Sequence, residues 1–149
     1  MIYLGTDHAG FELKEKIKEW LPKWGYEYED MGAHEYNKQD DYPDFISLVG
    51  EKVSADPENS KGIILGASGQ GEAVVANKYK GVRAVVYYGG QRDMIIHTRE
   101  HDDANVLSLA ADFIDESEAR EIIKLWLETS FPGEERHVRR LKKVKQLEE

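Results

Sequence analysis

Seven consecutive residues, Gly66-Ala67-Ser68-Gly69-Gln70-Gly71-Glu72, follow the apolar run Gly62-Ile63-Ile64-Leu65. Three glycines within six residues let the backbone turn tightly and aim its N–H groups at one spot. The turn feeds a helix start, which makes it a place for negative charge. It matches the first part of a nucleotide-binding loop, G-x-x-x-x-G, but Glu72 and Ala73 stand where lysine and serine or threonine are required. A carboxylate beside a triphosphate repels it, which argues against nucleotide hydrolysis. The dinucleotide fingerprint G-x-G-x-x-G fails too, since Val74 follows Gly69 and Gly71 where a third glycine or alanine is wanted. The charge need not be a phosphate; an oxyanion that develops during a reaction fits equally well. With Ser68 as hydroxyl donor and Glu72 as base, the set suits proton abstraction next to a carbonyl. Spacing alone favours a merely structural Glu72, because the helix dipole favours a glutamate in any first turn. Serine in a tight turn is equally ordinary. The loop is the firmer part of the pattern.

Other groups with chemical potential are scattered. Asp7-His8 follows the first apolar run and reads either as a ligand-contacting pair or as a helix cap. His97-Thr98-Arg99-Glu100-His101 fits H-x-x-E-H, an inverted zinc-protease signature, with two histidines four apart on one helical face. The pattern is short and the chain small for a peptidase, so a surface role for His97 is the simpler reading. Arg136 and Arg140 are also four apart and can reach one anion together, although basic runs are usually solvated faces.

The elements that must position these residues alternate along the chain. Apolar runs at Ile2–Gly5, Gly25–Tyr28, Gly62–Leu65, Val82–Tyr87 and Ala104–Leu109 predict five strands. Helical spacing predicts helices over Phe11–Leu21, Asp44–Val53, Glu72–Asn77, Gln91–Arg99 and Asp115–Thr129, with Pro43 opening the second. Pro132-Gly133 ends the fifth. A last helix from about Glu134 to Leu147 carries a stripe of Val138, Leu141, Val144 and Leu147, which packs on its own domain or on a partner subunit. Strand and helix in alternation imply a parallel sheet with helices on both faces, and ligands then bind beyond the strands' carboxyl ends. Those ends are Thr6-Asp7-His8, Gly66–Gly71, Tyr87–Gly90 and Leu107–Ala110.

The 149 residues suffice for one domain, taken as 1–149. Lys+Arg number 20 against Asp+Glu 29, a net charge of −9, which disfavours nucleic acid and anionic membrane as partners. The absence of cysteine excludes disulfides and thiolate zinc sites. No apolar run approaches the ~20 residues of a membrane span. These traits lead to the expectation of a soluble, cytoplasmic domain.

Five segments in order, GTDHAGFELK, DYPDF, GASGQGEAVVANK, REHDDANVL and ERHVRR, resemble the ribose-5-phosphate isomerase B family, which also includes the subunits of galactose-6-phosphate isomerase. The resemblance implies a Rossmann-like three-layer α/β/α sandwich with a five-stranded parallel sheet and a C-terminal helix on a partner subunit. It implies a homodimer or homotetramer with active sites between subunits, no metal and no cofactor. It implies interconversion of aldose and ketose phosphates, ribose 5-phosphate and ribulose 5-phosphate foremost, through an enediolate.

Carried over by position, Asp7 and His8 contact the sugar and its phosphate end, and Tyr42 contacts substrate. Many members place a cysteine base where this chain has Gly66; a second branch lacks it and uses a glutamate at the position of Glu72. Ser68 assists the base or the oxyanion. Gly69 and Gly71, with Gly66 and Ala67 in the same loop, supply the oxyanion hole. His101 opens the sugar ring, and Arg136 and Arg140 grip phosphate. Two positions depart from the pattern. Asp102 stands in place of an asparagine that can donate to an enediolate oxygen, whereas an ionised aspartate only accepts. Asp112 stands in place of a phosphate-binding arginine, so the alternatives are an isomerase of another sugar phosphate or of an unphosphorylated sugar, or a non-catalytic module that senses a sugar phosphate.

Overall fold

The computed structural model describes residues 1–149. Five strands, β1 (Ile2–Thr6), β2 (Tyr28–Asp30), β3 (Lys61–Gly66), β4 (Ala84–Tyr87) and β5 (Val106–Ala110), form one sheet in the order β2-β1-β3-β5-β4. Every pairing is parallel. Six helices follow the chain: α1 (Phe11–Lys23), α2 (Pro43–Ala55), α3 (Gln70–Ala76), α4 (Arg92–Glu100), α5 (Glu116–Glu128) and α6 (Glu135–Gln146). A short 3₁₀ turn, His8–Gly10, precedes α1.

Alternation along the central strands sorts the core into two layers. Ile63, Leu65, Leu107 and Leu109 face one way and meet Ile17 and Leu21 of α1, Ile95 of α4, and Ile122, Ile123 and Trp126 of α5. Ile64 and Val106 face the other way and meet Ile46, Val49 and Val53 of α2 and Ala76 of α3. Both faces are covered, which is why β3 and β5 read as continuous apolar runs rather than alternating ones. The sandwich of helix, sheet and helix expected from the resemblance is the architecture found.

Boundaries differ where side chains or turns take the place of ladder bonds. The second strand begins at Tyr28 rather than Gly25, because Gly25 and Tyr26 still donate to Pro22 and Leu21 in the closing turn of α1. The fourth begins at Ala84 rather than Val82. Val82 donates to Tyr79, and the Arg83 amide donates to the Asn105 side chain at 2.7 Å, outside the ladder. The fifth begins at Val106, since the Ala104 amide returns to Thr98 at 2.9 Å.

The sheet order fixes where a site can form. From β1 the chain steps outward to β2, then back across β1 to β3. The direction of winding therefore reverses between β1 and β3, and their carboxyl ends open a crevice. The approach to it is held by a buried ion pair. Lys14 on α1 has a fully buried side chain; its Nζ donates to both carboxylate oxygens of Asp30, at 2.6 and 2.7 Å, and to the Ala33 carbonyl at 2.6 Å. Asp30 also accepts from the Gly32 amide at 2.9 Å and pairs with Lys18 at 3.0 Å. Burial pushes the Asp30 carboxyl upward, but Lys14, the Gly32 amide and Lys18 together hold it below the usual carboxylate value.

Asp30→Asn strands the Lys14 ammonium among neutral partners, at an expected cost of about 3–5 kcal/mol in urea unfolding. Because the folded-state value lies below the ordinary 3.8, the pair's stabilisation is full above that value and fades as the pH falls through the folded one. The wild-type protein should therefore lose more stability than Asp30→Asn between neutral pH and pH 3, and parallel losses would show that the pair does not act this way.

Candidate active site

At the end of β1, the Thr6 hydroxyl donates to the Leu65 carbonyl at 3.0 Å and ties β1 to β3 just before both leave the sheet. Asp7 follows, 8% exposed, with Oδ1 accepting from the Ala9 amide at 3.0 Å. It therefore caps the 3₁₀ turn and also stands in the crevice, so the two sequence readings of this residue are compatible. Burial raises its carboxyl above the usual range, outweighing the Ala9 amide and the His8 charge.

Glu72, in the first turn of α3, is 4% exposed. Its carboxyl group is folded back over the end of β3, and a Cβ placed on Gly66 would fall within it. Any side chain at Gly66 would thus require the Glu72 carboxyl to move aside. Burial raises the Glu72 carboxyl above its ordinary value; the backbone amides of Glu72 and Gly69 pull it down, while the Asp7 charge pushes it up. The net direction is upward, toward the range in which a carboxylate serves as a base near neutral pH. Gly69, at φ +74°, takes the left-handed turn into α3. Its carbonyl accepts from the buried Ser108 hydroxyl at 2.6 Å, which anchors the loop to β5. The Ser68 hydroxyl accepts from the Gln70 amide at 3.3 Å.

The loop after β5 clamps the same turn. Ala111 donates to the Gly66 carbonyl at 2.8 Å and Asp112 to the Ala67 carbonyl at 3.1 Å. This sets the exposed Asp112 beside the glycine loop. Ser68, Gln70, Tyr88 and Phe113 line an open cavity of about 290 Å³ next to it, in which Tyr88 and Phe113 are 63% and 66% exposed. From the start of α2, Tyr42 lays its hydroxyl against Gly71, 2.6 Å from where a Cβ would stand. His8 completes this half, with Nδ1 at 2.7 Å from Asp40. The ligand atoms of Asp7, His8 and Asp40 lie within 4.8 Å of one another, but the hydrogen bond between His8 and Asp40 occupies two of them.

The remaining expected residues lie elsewhere. α4 runs back toward the amino ends of the strands, so His101 and Asp102, which close it, precede β5 rather than follow it. In the register of β3 with β5, Gly62 opposes Val106 and Gly66 opposes Ala110. The four residue steps between those rungs put roughly 13 Å of sheet between the two ends. His101 stacks on His97, with ring centres 4.6 Å apart, and on His137 of α6, at 4.3 Å. The H-x-x-E-H pattern is thus part of a packed column of three rings. Arg136 and Arg140 stand on α6 beside that column, both exposed. Asp7, His8, Tyr42, Gly66–Gly71 and Glu72 therefore gather at one end of the sheet, and His101, Asp102, Arg136 and Arg140 at the other.

Two residues that sequence reasoning passed over matter here. Asp40, just before the Asp41-Tyr42-Pro43 segment, partners His8. His137, between Arg136 and Val138, is 6% exposed; burial and the neighbouring His101 and Arg136 charges lower its basicity. The sequence offered Asp40 only as one acid in a polar loop, and His137 as one residue in a basic run.

The model of the Ribose/Galactose Isomerase family matches residues 2–144. The chain belongs to that family. Ribose-5-phosphate isomerase B of Mycobacterium tuberculosis is 39% identical over 140 residues, which cover 94% of this chain and 85% of that protein. A crystal structure of ribose-5-phosphate isomerase B from Mycoplasma genitalium with bound ribulose-5-phosphate superposes with a TM-score of 0.94 at 36% identity, covering 99% of this chain and 95% of that one. The enzyme from Clostridium thermocellum gives a TM-score of 0.90 at 38% identity, covering 99% and 96%. Within this ribose/galactose isomerase fold the sheet and its crevice agree with the expectation from sequence.

Gly66→Ala should displace the Glu72 carboxyl and cost about 1–3 kcal/mol in urea unfolding, the usual range for overpacking. Adding Glu72→Ala should relieve most of that cost. Equal destabilisation with and without Glu72 would show that the two groups do not compete for one space.

Proposed function

We propose that the chain is an aldose–ketose isomerase whose substrate is a sugar phosphate, ribose 5-phosphate and ribulose 5-phosphate in the first instance. The observation that carries this reading is the buried Glu72 carboxyl, raised toward neutral and seated in a glycine-rich turn. Few other arrangements give a carboxylate base and a set of backbone donors the same focus. The names of the relatives and the ribulose-5-phosphate bound by the Mycoplasma genitalium protein support it.

In this scheme His101 relays protons to open the sugar ring, paired with Asp7. Glu72 removes the proton from C2 and returns it to C1, and the electron pair resides meanwhile in the enediolate. The N–H groups of Gly66, Ala67, Gly69 and Gly71, with Ser68, stabilise the enediolate oxygens. His8 and Tyr42 hold the substrate from the β1 side. Arg136 and Arg140 bind phosphate, and Asp102 accepts from a sugar hydroxyl. No cofactor takes part.

One chain cannot assemble this set, because the length of the sheet separates Glu72 from His101. The proposal therefore includes a second copy, arranged so that the His101 end of each meets the Glu72 end of the other. A two-fold axis makes both meetings at once. The half-exposed Val138 and Val144 of α6 are available to such a contact, while Glu148 holds the helix tail to the Gly81 amide of its own chain at 2.9 Å. We read residues 1–149 as one isomerase domain of a homodimer, or of a tetramer built from it, working in the cytoplasm.

One observation favours a second substrate reading. Asp112 is fixed beside the glycine loop, and a carboxylate there disfavours a dianion. Another or an unphosphorylated sugar is the alternative. A panel of pentoses and hexoses, with and without phosphate, followed by NMR in D₂O decides between them. Deuterium appearing at C1 or C2 marks the substrate, and binding without exchange on every sugar would refute the isomerase.

Glu72→Gln should lower kcat by about 10²–10⁴-fold, the worth of a positioned general base. Since burial disfavours the ionised Glu72, its charge should weaken the wild-type fold progressively as the pH rises above the ordinary value of 4.5, and Glu72→Gln should unfold no earlier than wild type at pH 7. Unchanged turnover in that variant removes Glu72 as the base. Chains carrying Glu72→Gln and chains carrying His101→Ala should each be inactive alone, yet recover about a quarter of wild-type activity when unfolded together and refolded as a 1:1 mixture, because half the dimers then hold one intact site of two. No recovery would show that both residues act from the same chain.

A further inference from the structure

Asp40 lies in the loop between β2 and α2, and its side chain is only 8% exposed. One oxygen, Oδ1, accepts twice from the same residue: from the His8 amide at 3.0 Å and from His8 Nδ1 at 2.7 Å. The other oxygen, Oδ2, is buried with no hydrogen-bond partner. The Asp40 amide donates to the Asn37 carbonyl at 3.0 Å, which holds the loop in a turn that delivers the carboxylate to this spot. A buried carboxylate with one oxygen unpaired is costly unless a cation stands beside it. His8 is the group in contact, and 2.7 Å is the length of a charge-assisted bond.

We propose that Asp40 is a positioning residue of the substrate site, which through its two bonds to His8 holds that imidazole as a cation with Nε2–H free to donate to the phosphate of a sugar phosphate. The inference rests on the isomerase reading above for the identity of the ligand, but not for the state of His8. With Nδ1–H committed to Asp40, a neutral His8 would present Nε2 as an acceptor, which a phosphate oxygen repels; only the imidazolium donates. Nε2 has no bond within the chain, and the His8 side chain is 31% exposed. The surroundings agree. The Asp40 hydrogen bond raises the basicity of His8 and partial burial opposes it; Asp7, with Oδ2 at 4.0 Å, adds to the rise and Lys38 subtracts. The Tyr36 ring meets His8 edge-on at 6.3 Å and brings no charge.

The test uses Asp40→Asn in the full-length protein. Asparagine keeps an oxygen for the His8 amide and removes the charge. In NMR titrations the His8 ring should show a midpoint above the ordinary 6.5 in the wild type and a lower one in Asp40→Asn. Inorganic phosphate should shift the His8 ring signals of the wild type at pH 7.5 and those of the variant far less. For ribose 5-phosphate at pH 7.5, KM should rise about tenfold with kcat nearly kept, the worth of one charge-assisted hydrogen bond. The ratio of variant to wild-type KM should fall toward one as the pH drops to 6, where His8 protonates unaided. Taking the ratio cancels titration of the phosphate itself. In a His8→Ala background, Asp40→Asn should add nothing.

A wild-type midpoint at or below 6.5 overturns the proposal even if no Asp40 variant folds. So does a KM ratio that stays flat with pH, or an Asp40→Asn penalty that persists without His8. If the wild type isomerises no sugar at all, the isomerase reading fails instead, and the His8 titration and phosphate shifts still decide the role of Asp40.

Discussion

Parallel pairing of β3 with β5, Gly62 opposite Val106 and Gly66 opposite Ala110, sends every strand's carbonyl end to the same edge of the sheet. That single direction decides which residues can meet. Whatever follows a strand directly, such as Asp7-His8 after β1 or the glycine turn after β3, collects at one edge. Whatever closes a returning helix, such as His101 after α4, collects at the opposite edge. A chain wound this way can build half of a two-ended site at each edge and cannot fold the halves together. In the proposed mechanism, the need for a second copy thus comes from strand direction, before any interface is considered.

The crevice is also where the protein tolerates charge out of water. Asp7, Glu72 and Asp40 are all nearly buried within a short reach, and each is handled differently. Asp40 leans on an imidazole. Asp7 leans on a backbone amide, and burial still raises its carboxyl above the usual range. Glu72 receives two amides and still favours its proton more than a free glutamate would. Away from the crevice, Asp30 is the contrasting case: three donor groups around it overcome the same loss of solvent and keep it ionised. The comparison separates a carboxylate held for structure from one that, in the proposed mechanism, exchanges a proton. The first is saturated with partners, and the second is left short of them.

Much of this was legible in the sequence because it follows from local pattern. Apolar runs marked the five strands, and the helical spacing of Ile17, Trp20 and Leu21, or of Ile122, Ile123 and Trp126, marked the faces that pack on them. The loop from Gly66 to Gly71 announced itself through its glycines. What was illegible depends on distance in the chain. Asp40 acquires meaning only because a loop brings it to a histidine 32 positions earlier. His137 acquires it only through the ring of His101. Strand starts at Ala84 and Val106 slipped because Asn77, Asn105 and Arg83 satisfy backbone groups there, which no hydropathy pattern records. The motif H-x-x-E-H shows the converse failure: its spacing is correct for a helix face, but the rings spend that geometry on stacking.

The space over Gly66 also bears on how such a catalyst changes over time. The resemblance described above includes relatives with a thiol at this position and others with a glutamate at the position of Glu72. Here a side chain at Gly66 would meet the end of the Glu72 side chain, so a mutant that gained the first before losing the second would have to swing that carboxyl aside. One that lost the second first would, on the proposed mechanism, have no base at all. Descent from either form to the other therefore crosses an impaired ancestor, or needs both codons to change together. That barrier would keep the two lineages apart even if their reactions and folds were interchangeable.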